Sequence, residues 1–112
     1  MGQQDPLAAS VRTTLPPSVV RVGEAIDAFV VELAERVDEL QDLELRMELA
    51  QLSSRSAALG LDSAKVGFDS LHRCARAVES ACLERSSGDA RRALVELTEL
   101  ARRIRLGHRG AV

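Results

Sequence analysis

Apolar side chains return every three or four residues along most of this chain, and that rhythm leaves few folds open to it. Val22, Ile26, Phe29, Leu33, Val37 and Leu40 step by 4, 3, 4, 4 and 3. Leu45, Leu49, Leu52, Ser56 and Leu59 continue at 4, 3, 4 and 3. A third set follows in Ala64, Gly67, Phe68, Leu71, Cys74, Ala75, Val78 and Cys82, and a fourth in Ala90, Ala93, Leu94, Leu97, Leu100, Ala101 and Ile104. Each set covers one face of an α-helix. A helix with one apolar face must bury it against another. Four such helices with short connections predict an all-α, antiparallel up-down-up-down four-helix bundle. The chain has no Tyr and no Trp, and β-branched residues do not run together, so little is left from which to build a sheet.

The punctuation between stripes sets the expected boundaries. Residues 1–14 lack periodicity and read as a flexible N-terminal segment. Pro16 and Pro17 suit a first helical turn and Ser18 can cap it, so helix one is expected from about Ser18 to Gln41. The stripe changes phase between Leu40 and Leu45, and Asp42 is a good N-cap, which places a tight turn near 41–44. Gly60 reads as the stop of helix two, with Asp62 or Ser63 capping helix three, which runs to about Glu84. Arg85-Ser86-Ser87-Gly88 is the next turn, Asp89 opens helix four, and Gly107 closes it. The bundle thus spans residues 15–107 as one domain, with 108–112 as a tail. At 112 residues the chain has room for one modest core.

Charge and cysteine usage narrow the functional classes. The net charge of −2 favours neither nucleic acid nor an anionic membrane. Residues 1–60 hold ten acids against five Arg, and residues 61–112 hold seven acids against ten Arg and Lys. The basic end, Arg102, Arg103, Arg105 and Arg109, fits either an anionic partner or cations placed favourably at a helix C-terminus. Cys74 and Cys82 lie ~12 Å apart along one helix and cannot bridge, so they read as small apolar residues in a reducing compartment. Nothing resembles a signal peptide, and no apolar run approaches the ~18–20 residues that cross a bilayer. A cytoplasmic protein without metal or cofactor is expected.

Candidates for chemistry are few. His72 is the best nucleophile or base, with Asp69 one turn before it, but it falls on a flank with Lys65, Arg76 and Glu79, where a solvated His is the ordinary outcome. His108 falls in the tail. Ser53, Ser54 and Ser56 have no neighbouring base in sequence to activate them. There is no glycine-rich phosphate loop and no zinc-ligand set. The acid pairs Asp38-Glu39 and Asp42/Glu44 are the usual dress of a solvated face.

The run from Leu45 to Arg105 resembles the histidine phosphotransfer domains of bacterial two-component signalling. In that family a helix of the form L-R-R-A-A-H-x-L-K-G-x-A-x-x-L-G carries the phosphoacceptor His. A second helix, a Gly-Asp turn and an Ala/Leu-rich helix follow. Leu45, Arg46, Leu52, Leu59 and Gly60 match without gaps, as do Gly88-Asp89. VVELAERVDEL upstream looks like the family's preceding helix. The departure lies at the centre of the motif. The phosphoacceptor falls on Ala50, the family's Lys on Ser53 and its adjacent Gly on Ser54. Phosphoryl transfer needs a nucleophilic imidazole and positive charge beside the phosphate, and these residues supply neither.

What the resemblance implies is a docking face without its reaction. Arg46, Met47, Ala50, Ser53, Ser54 and Ala57 would form a strip of small residues against which a receiver domain or a histidine kinase domain lays a helix. The chain would then be a non-catalytic interaction module and not an enzyme. Two other readings remain open: a phosphotransfer protein using His72, and a helical adaptor or homodimer unrelated to two-component signalling.

Overall fold

Four stripes become four helices. The computed structural model describes residues 20–110, and the side chains of residues 23–108. The N-terminal segment 1–14 and the expected caps Pro16, Pro17 and Ser18 lie outside the described residues. Helix α1 spans Val20–Leu45, α2 Leu49–Lys65, α3 Asp69–Leu83 and α4 Ser87–Gly110. Each packs against its neighbours in chain order, and α4 closes the ring on α1. The result is an up-down four-helix bundle measuring 48 × 20 × 18 Å, with no strand among the described residues.

The core lies on the bundle axis and is built from the anticipated stripes. Phe29, Leu33, Val37 and Leu40 of α1 are buried, as are Leu71, Ala75, Val78 and Cys82 of α3 and Leu94, Leu97, Ala101 and Ile104 of α4. Phe29 and Phe68 stack with ring centroids 5.8 Å apart. The inward face of α2 is different. It buries Leu52 and Leu59 together with Ser53, Ser56, Gly60 and Ser63. Small residues there let α2 come close to α3, with Gly60 against Ala75 and His72.

The three interhelical turns share one geometry. Met47, Gly67 and Arg85 sit in the left-handed region, with φ of 59°, 87° and 57°. At each turn the next residue donates its N–H to a carbonyl five residues back: Glu48 to Leu43, Phe68 to Ser63, Ser86 to Ala81. The left-handed residue itself donates three residues back. This paired pattern closes the preceding helix. The carbonyl of Glu48, Phe68 or Ser86 then accepts the first bond of the following helix, from Leu52, His72 and Ala90 respectively.

Several expected boundaries move. The turn falls at 46–48 and not 41–44, because Leu43 continues the buried stripe of α1. Asp42 is therefore inside α1, and Leu45 ends that helix exposed instead of opening the stripe of α2. Gly60 does not stop α2, which runs on to Lys65 with Asp62 and Ser63 inside it. A Cβ at Gly60 would lie 3.3 Å from Ala75 Cβ and 3.4 Å from His72 Nδ1, so this glycine serves close approach. Gly67 supplies the left-handed turn residue and Ala64 is exposed. Helix α4 passes Gly107 and reaches Gly110, so His108 is helical. Its Nε2 lies 3.2 Å from Asp27 Oδ1 and ties the end of α4 to α1.

Candidate interaction face

Helix α2 has two edges that differ in chemistry. Arg55 and Asp62 lie toward α1, where Arg36 Nη1 reaches Asp62 Oδ2 at 2.9 Å and Arg55 Nη1 reaches Glu39 Oε2 at 3.4 Å. A shallow hollow lies over these pairs, lined by Arg36, Glu39, Leu40, Arg55, Ala58 and Leu59. Both arginines in it are already paired. Toward α3, Ser53 and Gly60 are buried, and beyond them Ala57 is half-buried. Outward from that line run Ala50, Ser54, Leu61 and Ala64, all exposed. Steps of 4, 3, 4 and 3 join Ala50, Ser54, Ala57, Leu61 and Ala64, the spacing of one helix edge. None of these five edge residues is charged.

The six expected interaction residues do not form one surface. Ala50 and Ser54 are exposed on the outward edge and Ala57 is half-buried beside them. Ser53 is buried and turned toward α3. Consecutive residues on a helix point about 100° apart, so Ser53 and Ser54 cannot share a face. Arg46 and Met47 lie before α2, in the turn. The Arg46 guanidinium is held at 2.6 Å by Asp42 and at 3.2 Å by Glu48, so it braces the turn. Met47 is exposed in a left-handed backbone. Leu61 and Ala64, which extend the edge, escape notice when Gly60 is read as a helix stop. Their signal is the unbroken four-three stepping beyond Ala57.

His72 is more constrained than its flank position implies. Its Nδ1 lies 2.8 Å from the Gly60 carbonyl oxygen. A carbonyl only accepts, so Nδ1 carries the proton, and in the neutral ring Nε2 holds the lone pair. No ion pair to His72 occurs among the described residues, Asp69 included. The thiols are unreactive in character. Burial raises Cys74, with Glu96 adding to the rise and Arg73 and Arg103 opposing it, and burial alone raises Cys82. A thiolate is the reactive form, so both shifts oppose reaction at neutral pH. Among the described residues no three His, Cys, Asp or Glu side chains converge as a metal set, and no helix is long and apolar enough to cross a membrane.

The turn at 46–48 also divides the stretch that resembles the phosphotransfer motif. Leu45 and Arg46 belong to the end of α1 and its turn, while Leu52, Leu59 and Gly60 belong to α2. No protein family, curated protein or solved structure gives a match to the chain.

Proposed function

We propose that this protein is a non-catalytic interaction module of the histidine phosphotransfer type, which binds a receiver or histidine kinase domain in the cytoplasm and regulates signalling by occupancy. The observation that carries this reading is the outward edge of α2. Ala50, Ser54, Ala57, Leu61 and Ala64 present a small, uncharged strip, whereas the outer faces of the other three helices carry charges. Small side chains let a docked helix come close. Ala50, at the position the resemblance assigns to the phosphoacceptor, is exposed and has no group that accepts phosphate. The test is binding to purified receiver and kinase domains, together with an assay for phosphoryl transfer. Binding without transfer is expected. Arg in place of Ala50 or Ala57 should weaken binding by an overpacking cost of about 1–3 kcal/mol, roughly 5- to 150-fold in Kd, with helix content unchanged. Unaltered binding by both variants sinks the assignment of the face.

A second reading draws on His72. The bond to Gly60 holds the tautomer whose Nε2 is free to attack, and α2 offers small residues beside it. A phosphocarrier of this kind would gain a phosphoryl mass on His72 after incubation with a phosphorylated donor domain. Absence of that mass, with transfer competence of the donor shown on another acceptor, removes it.

A further inference from the structure

Four of the seven large apolar side chains that the described residues leave exposed gather on the opposite side of the bundle, over α1 and α4. They are Val31 at 76%, Leu45 at 73%, Val95 at 62% and Leu106 at 43% exposure. Three contacts mark where α1 meets α4: Asp27 with His108, Gln41 with Thr98 and Glu44 with Arg91. The row just outside this seam on α1 is Glu24, Val31, Asp38 and Leu45, spaced by sevens. On α4 the corresponding row holds Val95 and Arg102, with Leu106 one turn further on. Glu24 and Asp38 of the α1 row make no ion pair among the described residues. The outer side of α4 toward its C-terminus carries Arg105 and Arg102, the latter held by Glu99 at 2.7 Å.

We infer that this face binds a second copy of the chain, in a dimer whose two-fold axis runs parallel to the helices. Such an axis sets α1 of one copy against α4 of the other, twice over, and antiparallel. It preserves height along the bundle, so each α1 residue meets the α4 residue with which it is level in its own molecule. The three seam contacts fix that level. Val31 then meets Leu106 of the second copy, Leu45 meets Val95 to within one helical turn, and Asp38 comes level with the Glu99–Arg102 pair. The contacts of Val31 with Leu106 and of Leu45 with Val95 recur at both halves of the interface, so the apolar face is complementary to itself. An isologous interface requires this. The size also suits. A strip as wide as the 20 Å bundle along the ~35 Å of α4 offers about 700 Å² per partner, near the ~800 Å² of a standard interface. The uncharged edge of α2 is on the far side of each protomer. The dimer therefore stands or falls independently of the docking function.

Sedimentation equilibrium of the full chain, from micromolar to near-millimolar concentration, tests the proposal. The expected mass is twice the 12.1 kDa of the chain. Val31→Lys keeps α1 folded, since Asp27 and Glu35 lie one turn either side, but it removes the apolar contact in both halves. It should raise the dimer Kd on the order of 100-fold. Leu106→Glu should do the same by facing the acids of α1. The two substitutions together should restore the dimer, because the introduced lysine of one copy then meets the introduced glutamate of the other. Leu61→Glu, on the α2 edge, should leave the mass unchanged. A wild-type chain that stays monomeric throughout overturns the proposal. So does a dimer insensitive to Val31→Lys, a failure of the double variant to recover, or dissociation by Leu61→Glu.

Discussion

Replacing Ser56 by Ala should make this protein more stable, although it deletes a polar atom from the centre of the fold. Ser56 is fully buried and its Oγ has no hydrogen-bond partner. An unsatisfied buried hydroxyl costs about 1–3 kcal/mol. Ala is also the better helix former, by up to about 0.5 kcal/mol. Against this stands the loss of one oxygen's packing contacts, at ~0.1–0.2 kcal/mol each for a handful of neighbours. The net gain is about 1–2 kcal/mol. Ser63 provides the contrast on the same helix and the same face. It is equally buried, but its Oγ donates to the Leu59 carbonyl at 2.7 Å. Ser63→Ala gives up a bond with a net worth of about 0.5–1.5 kcal/mol and regains part of it in helix propensity, so it should be neutral or destabilising by up to about 1 kcal/mol. Urea unfolding followed by circular dichroism measures both. The midpoint should rise for Ser56→Ala at constant slope, and the melting temperature should rise by about 4–8 °C per kcal/mol. If Ser56→Ala lowers the midpoint by as much as Ser63→Ala or more, Ser56 Oγ is satisfied in solution and carries no desolvation cost.

Further outcomes follow from the turns, the thiols and the exposed carboxylates. Arg85→Gly should stabilise by about 1 kcal/mol, because a non-glycine residue in the left-handed region costs ~1–2 kcal/mol; Gly67→Ala should destabilise by a similar amount, and equilibrium unfolding distinguishes the two signs. Neither thiol should react quickly with a disulfide reagent at neutral pH, and Cys82, being buried, should be labelled at the rate of global opening; fast labelling of either thiol counters this. Asp89 is held below its ordinary pKa by hydrogen bonds from Ser86 and Arg92, and Glu99 by its hydrogen bond and charge interaction with Arg102. A lowered folded-state pKa gives stability that is present above the ordinary carboxylate range and lost as pH falls through that range to the lowered value. Asp89→Asn and Glu99→Gln should each flatten the acid limb of stability without altering its slope near neutrality, read from melting temperatures against pH.

The α1 and α4 stripes were legible because a long helix repeats its signal over many turns. Phe29 to Leu40 and Ala90 to Ile104 face inward as their spacing requires. The short helices were harder. Gly60 and Gly67 are both ordinary helix-stop signals in sequence, yet Gly60 sits inside α2 against His72 and Ala75, and Gly67 is the turn. At the two other turns the left-handed residue is Met47 or Arg85, types that carry no local signal for it. The candidate face was half legible. Ala50, Ser54 and Ala57 share the outward side, while Ser53 differs only by a rotation that depends on where α3 lies.

Periodicity alone determined the helical class and most of the core, because any helix with one apolar face must bury that face. Tertiary packing decided where each helix ends, which of two glycines turns the chain, and which serines are buried. The reason is that those choices depend on the distance between α2 and α3. Residues far apart in the chain set that distance, Gly60 against Ala75 and His72 against the Gly60 carbonyl.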